Sequence, residues 1–339
     1  MQPRSLILWP LATFNLAKGH KIKLRNCKFR RASKMHPNLQ YYQRHQIDAV
    51  KWDRCIDTAR NGLIYAYSYY LDHMTTQWEA LVWGDYEAVM PLPVRKKWGI
   101  QYVYQPAFVP SLGVFGNNLT EDKVTQFIQA IPARVKLIDT RLNYGNIFSS
   151  TRPFLKLHSN YVLPLYQSYD TIYNGYRENI KRNIKRSRQL NNRYATGVAV
   201  EEVINLSRVQ MNRVSDVVDA DYVNFVQLYK YLHQQQKAMA CGVYTAAGEL
   251  VASCVYFFSH NRAYYILVGN HPNGRTQGAS HYLIDRFIHD HAGRSLLLDF
   301  EGSDIRNLAF FYSSFGATTE IFPGLWINRL PWYIRWMKK

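Results

Sequence analysis

The sequence predicts an α/β protein of the mixed α+β kind, with helices packed on a mixed sheet, repeated as two tandem units. Three observations carry this. Residues Ala263 to Gly316 run strand, turn, helix, strand, loop, helix. The stretch from Tyr41 to Leu163 has a similar grammar of helices followed by hairpin-linked strands. With 339 residues, 47% hydrophobic and 15% aromatic, the chain has enough apolar surface for two cores. The expected division is a basic tail over 1–34, an N-terminal domain over 35–165 and a C-terminal domain over 166–339.

Residues 1–34 hold nine Lys or Arg and no acid, half of the net charge of +18. A basic segment without periodicity reads as a disordered tail, and Met35 directly after it is a candidate start of translation. Pro10, Asn15 and the charges that follow, with no small-residue cleavage site, argue against a signal peptide. No apolar run is long enough for a membrane-spanning helix. Cys27, Cys55, Cys241 and Cys254 lack metal-ligand spacing and disulfide density, so reduced thiols in a cytoplasmic protein are expected.

From Tyr41 the elements follow in order. Ile47 to Ala59 spaces its apolar residues as a helix ended by Asn61-Gly62, and the aromatic segment Tyr65 to Asp72 opens a second, short helix. Trp78 to Trp83, Ala88 to Val94 and Gln101 to Tyr104 read as strands, separated by turns at Gly84-Asp85 and at Arg95-Lys96-Lys97-Trp98-Gly99. Glu121 to Ile131 reads as a helix, Val135 to Asp139 as a strand, and Arg152 to Leu163 as a mixed stretch with a strand in it. Tyr173 to Leu190 reads as one basic helix with Arg177, Lys181, Lys185 and Arg188 on one face. Val198 to Val203 reads as a strand and Asp221 to Gln236 as a long helix. Cys241 to Thr245 and Leu250 to Ser259 form a hairpin turning at Ala247-Gly248.

The run Ala263 to Val268 then closes as a strand at Gly269-Asn270. A turn with Gly274, Arg275 and Gly278 leads straight into a helix. Helix N-termini carry unpaired N–H groups and partial positive charge, and small residues let a phosphate come close. A plain strand-to-helix connection fits the same letters. Downstream, Leu308, Phe311, Tyr312 and Phe315 share a helical face, so Tyr312 reads on periodicity as a packed core tyrosine. Asp299 and Glu301 alternate at a strand end, with Ser303 or Asp304 placed to cap the next helix.

Two motifs here resemble the GNAT acyltransferase superfamily. The loop Arg275-Thr276-Gln277-Gly278-Ala279-Ser280 is similar to that family's Arg/Gln-x-x-Gly-x-Gly/Ala coenzyme A loop, with Ser280 at the second small position. Tyr312-Ser313-Ser314-Phe315-Gly316-Ala317 is similar to its Tyr-x-x-x-Gly-Phe helix, with Ala317 replacing the usual Phe. Two such units, the second opening on a basic helix of the type Asn-x-x-Arg-Asn-x-Lys-x-Ser, resemble the FemAB-like tandem branch from Tyr41 onward.

The resemblance implies two tandem GNAT-like domains and transfer of an acyl or aminoacyl group to an amine. It implies acyl-CoA as co-substrate, with its phosphates at Arg275 to Ser280 and its thioester beside Val268 in the splay between two strands. It implies Tyr312 as the acid that protonates the leaving thiolate, and it leaves Glu301 as the candidate base or acceptor-orienting carboxylate. The expected partner is an amine-bearing small molecule or cell-envelope precursor. Some FemAB-like relatives use aminoacyl-tRNA as donor, and the basic helix would suit RNA phosphate. A scaffold that has lost catalysis and keeps only binding is the reading that Ser280 and Ala317 favour. No metal is expected, since the histidines show no zinc-site spacing.

Overall fold

The computed structural model describes residues 36–150, 152–211, 217–302 and 304–333. The basic tail, Cys27 and Ser303 lie outside the described residues. The chain divides into two compact units. Among the described residues, the N-terminal unit comprises 36–158 together with 321–333, and the C-terminal unit comprises 159–320.

In the N-terminal unit the elements are β1 (Leu39–Gln43), α1 (Ala49–Thr58), α2 (Ser68–Met74), β2 (Trp78–Trp83), β3 (Ala88–Lys97), β4 (Ile100–Val103), β5 (Phe115–Gly116), α3 (Glu121–Ala130) and β6 (Val135–Arg141). Asp48 caps α1 by accepting from the Val50 and Lys51 amides, and Thr120 caps α3 through the Lys123 amide. The strands β1, β2, β3 and β4 pair antiparallel in sequence order, and β6 joins β4 in parallel. The N-terminal part of β7 (Leu155–Pro164) belongs to this unit. Leu81, Met90, Leu92, Ile138 and the α3 residues Val124, Phe127 and Ile128 form its core.

The sequence placed a five-residue turn at Arg95 to Gly99. Instead the strand runs through Lys97, and only Trp98 (φ 50°) and Gly99 (φ 78°) turn the chain, both left-handed. Such a two-residue turn favours Asn-Gly, because a side chain at positive φ crowds the following carbonyl.

The C-terminal unit contains α4 (Tyr169–Asn174), α5 (Glu178–Gln189), β8 (Arg193–Thr196), α6 (Val200–Met211), α7 (Asp219–Gln234), β9 (Ala238–Tyr244), β10 (Leu250–Ser259), β11 (Arg262–Asn270), α8 (Pro272–Thr276), α9 (Ala279–His291), β12 (Leu297–Asp299) and α10 (Arg306–Ser313). Its sheet has the order β7, β12, β11, β10, β9, β8, with β11 and β12 parallel and every other pair antiparallel. Apolar residues of α4, α5, α9 and α10 pack with Cys254, Tyr256, Tyr265 and Val268 into one core. On α7, Phe225 stacks on Phe257 of β10.

Two readings change here. Val198 to Val203 is not a strand: β8 ends at Thr196 and α6 begins at Val200. Val200, Val203, Ile204 and Ser207 are buried at helical spacing, and Glu201 and Glu202 sit at the helix N-terminus, where negative charge is favoured. The single basic helix from Tyr173 is two helices. The chain breaks at Gly175 and Tyr176 because Tyr176 turns inward to pack edge-on against Phe315, 5.2 Å between ring centres.

The last strand, β13 (Thr318–Asn328), was not anticipated. Residues Gly324 to Asn328 pair antiparallel with Arg141 to Leu137 of β6, so this segment completes the N-terminal unit.

Candidate active site

The C-terminal unit builds its candidate site where β11 and β12 part. Their parallel pairing lasts three residues, Arg262 to Tyr264 against Leu297 to Asp299. From Tyr265 to Asn270 β11 is paired only on its β10 side. A register shift on that side skips Ile266, since Val255 pairs with Leu267 and Tyr256 with Tyr265. The extra residue reverses the strand's alternation, which is why Tyr265 and Val268, three apart, both enter the same core. Val268, placed by sequence beside the thioester, is thus buried among core side chains.

Beyond β11 the chain folds tightly enough to require its glycines. A Cβ on Gly274 would lie 2.3 Å from the Val251 carbonyl oxygen. Gly278 (φ 69°) is the left-handed residue before α9, and a Cβ there would lie 2.3 Å from the Asn183 carbonyl oxygen of α5. Arg275 and Thr276 end the one-turn helix α8, Gln277 and Gly278 form the link, and Ala279 and Ser280 are the first residues of α9. The loop foreseen at Arg275 to Ser280 is therefore half helix, half linker. Ser280 Oγ donates to Asn270 Oδ1, and Thr276 Oγ1 donates to the Asn273 carbonyl. The first amide to bond back within α9 is that of Tyr282, to Gly278. The first-turn amides before it lack intrahelical acceptors, as in any helix, and present the positive end of the dipole.

His281, passed over in the sequence, stands in this first turn. Its ring meets Phe311 edge-on at 5.0 Å, and its Nδ1 is buried without a hydrogen-bond partner among the described residues. Burial pushes the imidazole from 6.5 down to about 4, so it is neutral at physiological pH. The signal available in the sequence was its position, directly after the small-residue linker and at a helix start.

Phe311 in turn contacts Tyr312, 5.6 Å between ring centres. Tyr312 is fully buried, stacks on Phe300 at 4.4 Å, and its hydroxyl has no hydrogen-bond partner among the described residues. Burial, and secondarily the charge of Glu301, raise its pKa well above 10, so it holds its proton throughout the physiological range. Tyr256 is also buried, and burial, then Cys254 and the neighbouring tyrosines, raise its pKa well above 10. Phe300 is the first residue past β12, and Tyr265 packs edge-on to it at 6.0 Å. Tyr312 thus stands where the strands part.

Glu301 has φ 59°, and its amide donates to Asp299 Oδ1 at 2.8 Å. Asp299 also accepts from Asn160 Nδ2 at 2.9 Å and from Arg262 Nη1 at 2.8 Å; Arg262 pairs with Glu320 at 2.6 Å as well. Arg262 and Asp299 are both buried, so each needs the other's charge. Asp299 is committed to this network, and the network fixes the backbone that carries Glu301. Ile305 is the residue directly before α10, and the Asp304 carboxylate accepts from the Ser159 amide.

The basic face of α5 is mostly engaged. The Arg177 guanidinium lies over Phe310 at 4.8 Å, Lys181 pairs with Glu178, and Arg188 pairs with buried Asp285, which also accepts from Tyr169. Arg182, Lys185 and Arg186 are exposed. Arg182 and Arg186 share a helical face with Asn183, whose carbonyl abuts Gly278. The structure thus brings Tyr312 and Glu301 to the strand opening, and the Gly278 linker and Ser280 to the start of α9, with His281 and Phe311 between.

The family model described as an acetyltransferase (GNAT) domain matches residues 174–304. Comparison with curated proteins gave no match. Among solved structures, FemX is similar with a TM-score of 0.59 and 11% identity, over 84% of this chain and 96% of that one. The C-terminal domain of a putative lysylphosphatidylglycerol synthetase from Agrobacterium fabrum is similar with a TM-score of 0.53 and 8% identity, over 85% and 94%. No helix among the described residues is long and apolar enough to cross a membrane. Residues 174–304, which hold the parted strands, the Gly278 linker and α9, match the GNAT domain model, and the chain shares its tandem GNAT-like fold with FemX.

Proposed function

We infer that the protein transfers an acyl or aminoacyl group from a phosphate-bearing donor to an amine, with acyl-CoA as the preferred donor and a cell-envelope precursor or small amine as acceptor. The observation that carries this reading is the early end of the β11 and β12 pairing. It leaves one edge of β11 without a β12 partner beyond Tyr264, where an extended donor would add, between the positive start of α9 and the Tyr312 hydroxyl. Donor phosphates would take the first-turn amides of α9, flanked by Arg182 and Arg186. Val268 would contribute through its backbone edge.

In the transfer step the acceptor nitrogen attacks the donor carbonyl carbon, and the C–N bond forms. Glu301 accepts the proton released from nitrogen. Collapse of the tetrahedral species breaks the C–S bond, and Tyr312 gives its proton to the departing sulfur. A donor bound as an ester would lose oxygen in the same place. An aminoacyl ester of tRNA is the second reading, favoured by the exposed cations of α5 and by the fold shared with a putative lysylphosphatidylglycerol synthetase domain. A scaffold retaining only donor binding is the third, favoured by Ser280 and Ala317.

Thermal-shift titration separates these readings. Acyl-CoA is expected to raise the melting temperature of the wild type and of Tyr312→Phe alike, while Tyr312→Phe lowers turnover about a hundredfold or more. A shift with full turnover in Tyr312→Phe would remove Tyr312 from the chemistry. A shift without turnover in the wild type would favour the binding scaffold. No shift with any coenzyme A thioester would turn the reading toward aminoacyl-tRNA.

A further inference from the structure

The hairpin of β3 and β4 breaks a local rule without return in folding energy. Trp98 occupies a left-handed position suited to Asn or Gly, yet it is 80% exposed, with the Lys97 ammonium 4.9 Å from its ring centre. Pairing of β2 with β3 begins at Pro93, and β6 joins β4 at Gln101. On the β2 side Arg95 to Lys97 therefore run about 10 Å past the last paired residue, and on the β6 side Ile100 and the turn at Trp98 and Gly99 project beyond Gln101. Arg95, Lys96, Lys97, Trp98 and Gly99 are all exposed.

The same end of the sheet gathers more residues of the same kind. The start of β6 lies there with Arg134 and Lys136, as does the end of β13, where the Arg329 amide donates to the Lys136 carbonyl at 2.7 Å. The chain continues from Arg329 to Trp332, 84% exposed, and Tyr333, 59% exposed. The segments 95–101, 132–136 and 328–333 contain six Lys or Arg and no Asp or Glu. Arg134 is partly neutralised by Glu79, at 3.1 Å.

We propose that this end of the N-terminal unit docks on the surface of an anionic phospholipid bilayer. Trp98 and Trp332 would enter the headgroup region, and the flanking cations would lie against lipid phosphates. Indole rings are amphipathic and settle at that depth, and Lys and Arg beside them are attracted by negative surface charge. A projecting tip suits a soft, flat surface. Single-stranded nucleic acid instead requires a groove with successive stacking rings, and one approach to the Trp98 ring is taken by Lys97.

Co-sedimentation of the full chain with vesicles tests the proposal. Vesicles of phosphatidylcholine mixed with phosphatidylglycerol are expected to bind the wild type, and pure phosphatidylcholine vesicles at least about tenfold more weakly. Trp98→Asn is expected to weaken binding about fivefold or more while keeping or raising the melting temperature, because Asn fits the turn. Lys96→Gln and Lys97→Gln should each weaken binding about fivefold. Equal binding by Trp98→Asn and wild type, or equal binding to both vesicle types, would overturn the proposal. So would a Trp98→Asn variant of lowered melting temperature and undiminished binding, which would make Trp98 structural. Loss of single-stranded RNA binding in Trp98→Asn with vesicle binding intact would reassign the tip to nucleic acid.

Discussion

At the residue scale, the site depends on groups held in states that water would not allow. A buried hydroxyl without an acceptor costs about 1–3 kcal/mol, and Tyr312 bears that cost beside Glu301. His281 makes a related cost measurable. Its folded pKa of about 4 lies below the unfolded 6.5, so the unfolded chain binds the extra proton between those values. Stability is therefore greatest above pH 6.5 and falls as the pH drops through this window toward 4, by on the order of 3 kcal/mol. Chemical denaturation of wild type and His281→Gln at pH 7 and pH 4.5 checks this, and the variant should lose most of the difference that His281 contributes. His281 was illegible as a site residue because its surroundings, Phe311 above all, come from a helix about thirty residues away.

At the element scale, the turn before α9 is the tightest constraint. Gly278→Ala puts a methyl group at positive φ and against the Asn183 carbonyl, so α5 and α9 must separate or α9 must start later. The expected loss is about 2–4 kcal/mol in urea unfolding, together with weaker donor binding. Much of this region could be read from sequence, because turn chemistry and helix starts are local: β10, β11, α9 and α10 lie close to their expected positions. Val198 to Val203 misled because Val-Ala-Val-Glu-Glu-Val fits both a period of two and a helical period over six residues. The break between α4 and α5 depends on where Tyr176 finds a cavity to fill, and the bulge at Ile266 on how two strands pair. Neither is written in the segment itself. The Arg262 network was hidden for the same reason, since its Glu320 is 58 positions away.

At the scale of the whole molecule, the two units differ in how the chain supplies them. Residues 159–320 form one unbroken segment, whereas the N-terminal unit is completed by residues from 321 onward. A fragment of residues 159–320 is therefore expected to melt cooperatively when followed by circular dichroism. A fragment of residues 36–158, with the Leu137 to Arg141 edge of β6 unpaired, is expected to aggregate or to show no cooperative transition. Adding the 321–333 peptide in trans should restore the transition.

The placement of β13 also imposes an order in time. On the ribosome, residues 36–158 cannot finish folding until residues 321–333 have been made, while residues 159–320 can fold as they emerge. The nascent chain thus carries an open strand edge through the synthesis of an entire domain. A translational pause or a truncated message would strand it in that state, and the cell's chaperones would meet the early half rather than the late one.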